Sequence, residues 1–309
     1  MVKVAVAGGS DSIGQAIVQA IEKDGSHECF ILSRSPKDTE KSKTVIVDYS
    51  DIDGLRETLE AYEIDTVISA ITLQSDAGGQ SQMNLIEAAN QSRCTRRFMP
   101  SEFGAMYKPE HLEALPLYAW KFRAVECLVE TSLEYTQFSN GMFMDYWFAP
   151  RIPSAFKFNV PSWIDLDHSY AAIPGDGDTP MVFTHSRDIG RFVVKVLSLP
   201  SWDKRYFLVG DRLTLNEFLR LAEEAKGVSF ERHSDSLATL IEGKCTMMPS
   251  VKSAGFDSSL FIKSVAAAGV RTTQGDLDLP TDKTLNNMFP DLQTLRIKDA
   301  VPVYFAGDS

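Results

Sequence analysis

The sequence predicts an α/β protein: a doubly wound parallel sheet followed by a second, smaller α+β part. Three observations carry that expectation. A valine-rich run, residues 2–7, ends directly in Gly8-Gly9. Strand-like and helix-like segments then alternate up to about residue 140. After about residue 150 the alternation stops. Parallel strands need crossover connections, and helices supply them.

Each element follows from its pattern. Residues 2–7 are short and apolar, as a strand buried on both faces must be. Ile13, Ala16, Ile17, Ala20 and Ile21 recur at helical spacing and make one apolar face, with Gly25 as the stop. Residues 28–33 read as the second strand and 44–47 as the third, followed by a helix near 51–62. Residues 65–70 form the fourth strand, followed by a helix near 79–91. The fifth, 95–99, ends at Pro100. A helix near 117–132 leads to a sixth strand at 134–139. Residues 150–182 are rich in Pro, aromatics and Asp, without a clear helix. Asp176 and Asp178 sit there among glycines; too few ligand positions surround them for a calcium loop, and a hairpin turn is expected. A helix resumes with Ile189, Phe192, Val193, Val196 and Leu197 on one face, and a strand follows at 205–209. Thr214 and Glu217 make a capping box for another helix. The division expected is residues 1–150 with returning segments about 183–212, then a smaller lid, mainly 151–309.

Bulk properties narrow the function. The chain has 309 residues, 44% apolar and 24% charged, which is ordinary globular composition. Its formal charge of −11 repels phosphate backbones, so nucleic acid is not an expected partner. No apolar run approaches the ~20 residues of a membrane helix, and the start reads as a strand, not a signal peptide. Cys29, Cys94, Cys127 and Cys245 share no C-x-x-C spacing, so no metal site is expected. They read as reduced thiols of a cytoplasmic protein. The sequon at Asn90-Gln91-Ser92 stands alone and is read as chance.

The chemistry starts at Gly8-Gly9-Ser10-Asp11-Ser12-Ile13-Gly14, between a strand and a helix. A tight turn there aims backbone N–H groups and the helix N-terminus at a pyrophosphate. This reads as the dinucleotide turn of a Rossmann fold, or else as a glycine turn that merely joins strand to helix. A full G-x-x-G-x-x-G would place glycine where Asp11 stands. A carboxylate there repels phosphate, or caps its own helix; Asp does tolerate left-handed backbone angles. Ser33 and Arg34 follow the second strand, where an arginine accommodates the 2′-phosphate of NADP. Lys37, Lys41 and Lys43 add local positive charge. The cofactor expected is NADP(H). A surface loop with solvated charges would read the same way.

Further along stand Val67-Ile68-Ser69-Ala70, Pro100-Ser101-Glu102-Phe103-Gly104 and Lys121. Beyond them come Asn140-Gly141-Met142-Phe143-Met144-Asp145, Asp188-Ile189-Gly190 and the run Gly210 to Glu217. Together with the glycine turn, these resemble the isoflavone-reductase-like and NmrA-like branch of atypical short-chain dehydrogenases, across roughly residues 2–227. The resemblance implies an NADP-binding Rossmann domain and a smaller substrate domain. It puts Ser69, Ala70 and Asn140 on the cofactor side. It places Lys121 near the nicotinamide, in proton transfer or ribose binding. By its own sequence Lys121 is equally a lysine snorkelling off an apolar face.

Mainstream members of that superfamily use Tyr-x-x-x-Lys; here residue 117 is leucine, and Tyr118 is three residues before Lys121. Tyr118 is a catalytic candidate or a packing aromatic. Ser101 is placed to offer a hydroxyl to a substrate carbonyl, or to cap a turn. Glu102, Phe103, Met142, Phe143 and Tyr146 are expected to line the substrate pocket, within an apolar wall that also includes Met144, Trp147 and Phe148. The function expected is reduction of a small, aromatic or polycyclic metabolite. The alternatives are an NmrA-like regulator that senses the dinucleotide without turnover, and a biosynthetic enzyme that catalyses a cyclisation or couples reduction to one.

Overall fold

The computed structural model describes residues 1–35, 43–157, 159–255 and 258–306. The chain forms two compact units. The first comprises Met1–Phe103, Pro116–Ser139 and Ser186–Tyr206; the second comprises Gly104–Leu115, Asn140–His185 and Phe207–Ser309.

The first unit holds the sheet. Its strands are β1 (Lys3–Ala7), β2 (Glu28–Ser33), β3 (Lys43–Ile46), β4 (Thr66–Ser69), β5 (Arg97–Met99) and β6 (Glu134–Tyr135). The order is β3-β2-β1-β4-β5-β6, and every pairing is parallel. The chain therefore runs outward from β1 to one edge, then returns to the other side of β1. Between β1 and β4 the direction reverses, and such a switch point opens a crevice at the carboxyl ends of the strands. Helices α1 (Ser12–Asp24), α2 (Ile52–Ala61), α3 (Asp76–Gln91) and α4 (Ala119–Val129) make the crossovers.

Alternation along the strands assigns the two faces. Ala5, Phe30, Leu32, Val67 and Phe98 join Leu55, Leu59, Leu85, Ile86 and Leu128 in one core. The apolar face of α1 packs against the helix Ser186–Leu197, burying Ile17, Ile21, Phe192 and Val193 completely. A Cβ on Gly190 would lie 2.6 Å from the carbonyl oxygen of Ala16, so glycine sets how closely these helices approach. That contact returns residues 186–197 to the first unit.

The second unit is no smaller than the first, contrary to the expectation of a minor lid. It also takes in residues 104–115 and 140–150, which the sequence grouped with the sheet. Its core is aromatic: Trp147, Phe183 and Phe218 meet pairwise at 5.5–5.8 Å between ring centroids. The Thr214–Glu217 capping box forms as expected, with both reciprocal hydrogen bonds.

Three local expectations need correction. The sixth strand divides: β6 stays beside β5, while Gln137 donates its N–H to Lys204 and residues 137–139 pair with the segment from Arg205. The helix expected at 117–132 begins later, because Pro116–Tyr118 form a 3-10 turn. Asp176 and Asp178 lie in a turn but not in a hairpin. Tyr170–Pro174 pairs with Glu231–Asp235, whereas Met181–Thr184 pairs with Asp211–Leu213. Asn216 donates to the Asp176 carbonyl and the Asp178 carboxylate at 2.8 and 2.6 Å, tying the turn to a helix start. No helix among the described residues is long and apolar enough to cross a membrane.

Candidate functional site

The glycine turn lies at the switch point. Ala7 ends β1, and Gly8 follows with φ +78°. A Cβ on Gly14 would sit 2.2 Å from the Gly8 carbonyl oxygen, so α1 can begin directly on the turn only with glycine there. Asp11 is extended, with φ −152° and ψ 158°. Any residue adopts those angles, so its tolerance of left-handed backbone is not used. The left-handed residue is Ser12, at φ 45°. The Asp11 carboxylate accepts the Ser12 N–H at 2.7 Å and so caps its own helix.

The turn faces a cleft of about 490 Å³, bounded also by Arg34, Tyr49, Ala70 and Thr72. The Tyr49 hydroxyl donates to the Leu32 carbonyl at 3.0 Å, and burial holds it protonated far above the usual phenol range. Ser69, at the end of β4, has a buried hydroxyl oxygen with no hydrogen-bond partner among the described residues. Lys43 belongs elsewhere: its ammonium lies 3.7 Å from Glu28 and over the Phe30 ring. Lys37 and Lys41 lie outside the described residues. Amides at a helix start, an arginine at the end of β2 and an unsatisfied hydroxyl at the end of β4 together fit a phosphorylated dinucleotide.

A second cluster sits just past β5, in the same unit. Gln82 of α3 is 1% exposed and accepts the Ser101 N–H at 2.8 Å. The Glu102 N–H closes on the Pro100 carbonyl at 2.7 Å. The turn so fixed presents the Ser101 carbonyl to Lys121, whose ammonium donates to it at 2.8 Å. Lys121 is 9% exposed and lies 3.7 Å from a Glu102 carboxylate oxygen. That oxygen is buried and accepts no hydrogen bond among the described residues. Arg205, within reach of the Glu102 charge, donates to the Ser139 hydroxyl at 2.7 Å. Burial lowers the Arg205 pKa, and the Glu102 charge opposes the shift.

Lys121 is therefore a buried ammonium with a compensating carboxylate, not a snorkelling one. Ser101 makes its hydrogen bonds in this cluster through its backbone rather than its hydroxyl. Glu102, expected at the substrate, is buried beside Lys121. Phe103 packs on Phe138 at 5.7 Å. Tyr118 is half-buried in the 3-10 turn before α4.

This arrangement is accompanied by a family match over most of the chain. The model of the NmrA-like family covers residues 2–250. The chain belongs to the NmrA-like family. Among curated relatives, "Oxidoreductase BOA1" of Botryotinia fuckeliana is 42% identical over 231 residues, covering 74% of this chain and 77% of that protein. "Oxidoreductase swnN" of Metarhizium robertsii is 29% identical, covering 97% and 96%. Among solved structures, the binary complex of leucoanthocyanidin reductase and NADPH from Vitis vinifera superposes with a TM-score of 0.77 at 19% identity, covering 98% of this chain and 99% of that one. At that identity the likeness concerns the fold.

The remaining expected residues of this NmrA-like chain lie in the second unit. Asn140 is fully buried; its carbonyl accepts the Thr184 hydroxyl at 2.7 Å and its N–H donates to the Gly104 carbonyl at 2.8 Å. Phe143, Tyr146 and Phe156 form an aromatic triad with centroids 5.4–5.7 Å apart, and Met142 is half-buried beside Phe143 in the chain. Met144, Trp147 and Phe148 are at most 1% exposed and belong to the core, so the apolar wall is narrower than expected. The sequence reading missed Gln82, Tyr49 and Arg205. Gln82 carried a legible signal: it lies three and four residues before Leu85 and Ile86, a polar residue on an apolar stripe.

Proposed function

We propose that this NmrA-like protein is a cytosolic NADPH-dependent reductase of a small aromatic or polycyclic metabolite, acting on a C=O, C=N or activated C=C bond. The observation that carries the reading is the buried Lys121–Glu102 pair, fixed by the Ser101 carbonyl in the unit that also holds the glycine-turn cleft. The naming of relatives as oxidoreductases and the NADPH in the leucoanthocyanidin reductase complex support the same direction.

In this reading the amides of the glycine turn bind the pyrophosphate, and Arg34 takes the 2′-phosphate. Ser69 and Ala70 line the dinucleotide's path. When bound, the nicotinamide supplies the hydride. Lys121 holds the proton at Nζ and delivers it, directly or through water, to the reduced substrate. The Ser101 carbonyl fixes the direction of the amine, and Glu102 offsets the cost of burying it. The triad of Phe143, Tyr146 and Phe156 offers apolar, polarisable surface of the kind that binds a ring system.

The test is NADPH consumption against a panel of aromatic ketones, cyclic imines and enones, alongside calorimetry. Lys121→Met/Glu102→Leu, which removes the buried pair whole, is expected to retain NADPH binding and lose turnover. Full turnover in that double variant removes the assigned role, and absence of NADPH binding to the native chain removes the reductase reading.

A further inference from the structure

We propose a second small-molecule site, built within the second unit alone, that binds an apolar monocarboxylic acid through Arg271. A cavity of about 510 Å³ lies between residues 110–115, the short helix Leu237–Ile241 and the helix Ser259–Thr273. That volume is in the range of small-molecule pockets. None of its lining residues belongs to the glycine-turn cleft.

The argument rests on Arg271, which lines the cavity and is 5% exposed. One guanidinium nitrogen donates to the Met106 carbonyl at 2.9 Å, and the group lies 4.4 Å from the Tyr107 ring centroid. Its Nε is buried and has no hydrogen-bond partner among the described residues. No carboxylate among the described residues lies within ion-pair distance of it. The nearest acidic residue in the chain, Asp276, is already engaged by Lys108 and by His111. A carbonyl and a ring face offset only part of the cost of burying a guanidinium, and neither supplies the missing negative charge. A planar carboxylate would, because it matches the fork of donors.

The rest of the cavity defines what carries that carboxylate. Leu115, Leu240, Ile241, Ala267 and Val270 make the wall apolar, and Ile241 is 67% exposed. Glu110, Glu113, Glu242 and Lys263 are also at the lining, all exposed. Solvent screens these outer charges far more than the buried arginine. Their net negative sign still disfavours polyanions such as nucleotides. One negative charge on an apolar body is what remains.

The test uses the full-length protein without dinucleotide, so its outcome is independent of the reductase reading. Methyl groups of Ile, Leu and Val are labelled, and two probes are titrated: naphthalene-2-carboxylate and the neutral naphthalene-2-carboxamide. The carboxylate is expected to shift the methyls of Leu115, Leu240, Ile241 and Val270 saturably, with affinity about tenfold or more above the amide. Arg271→Met is expected to remove that preference. Because Arg271 is buried, that variant can fail to fold; Ala114→Trp, at an exposed lining position, is expected to weaken both probes while leaving the melting temperature unchanged. Equal affinity for the two probes overturns the proposal. So does a carboxylate that perturbs only methyls around the glycine turn, or one whose binding is unaffected by Ala114→Trp.

Discussion

Lys121 shows how much a single buried charge demands of its surroundings. Its ammonium lies 3.7 Å from Glu102 and donates to the Ser101 carbonyl. Removing one member of a buried pair costs about 3–5 kcal/mol, because the other is left uncompensated. Glu102→Gln and Lys121→Met should each be strongly destabilising in denaturant unfolding. The double variant Lys121→Met/Glu102→Leu should be more stable than either single one; simple additivity would show that the pair is not coupled.

Asp11 poses the opposite question, since its carboxylate already occupies the first amide of α1. Asp11→Gly should tighten NADPH binding about tenfold, roughly 1.4 kcal/mol, and Asp11→Asn should tighten it less by keeping the cap while removing the charge. Calorimetry that finds the three proteins equal would place the phosphates away from this residue.

Asp276 bears on acid stability. Burial raises its pKa, but the hydrogen bonds from Lys108 and His111 outweigh that, and the net shift is downward from 3.8. A depressed carboxylate contributes stability above its unfolded value and loses it as the pH falls through the folded one. Asp276→Asn should therefore melt less steeply with acidification from about pH 4 downward, and an unchanged slope would remove Asp276 from the acid limb.

At the scale of elements, the close contacts are set by small residues and caps. The approach of α1 to the helix Ser186–Leu197 leaves no room for a Cβ at Gly190. Gly190→Val should cost about 1–3 kcal/mol through overpacking, seen as a lower denaturant midpoint. Thr214→Ala should cost about 1 kcal/mol by removing one half of the capping box.

Elements also show what was legible in advance. β1, β2 and β4 are continuous apolar runs, and such runs can be read without a partner. Residues 134–139 could not be divided in the same way, because the break after β6 depends on Lys204 accepting from Gln137. The turn at Asp176 was recognisable from composition. Its destination was not, because Asn216 pulls it toward a helix start forty residues away in the chain.

For the whole molecule, the relevant quantities are charge and ligand linkage. A formal charge of −11 predicts no retardation of duplex DNA at physiological salt. Ligand that binds only the folded state stabilises by about 2.7 kcal/mol at a hundredfold excess over Kd. NADPH should therefore raise the melting temperature of the native protein measurably. NADH should do so less if Arg34 reads the 2′-phosphate, and Arg34→Ala should erase the difference.

The sequence alone determined the alternation of strand and helix, the glycine turn and the family, because these depend on local periodicity and on residues adjacent in the chain. It also singled out Lys121. The tertiary structure decided what that lysine is: the Ser101 carbonyl, in a turn held by Gln82 of α3, and the Glu102 carboxylate meet it, with Arg205 close enough to feel the Glu102 charge, and burial and charge compensation exist only once those elements pack. It likewise separated wall from core among the aromatics after Asn140: Trp147 is 1% exposed inside the core while Tyr146 stays half-buried at its edge beside Phe143 and Phe156, a division that exists only once a core has formed to receive the indole.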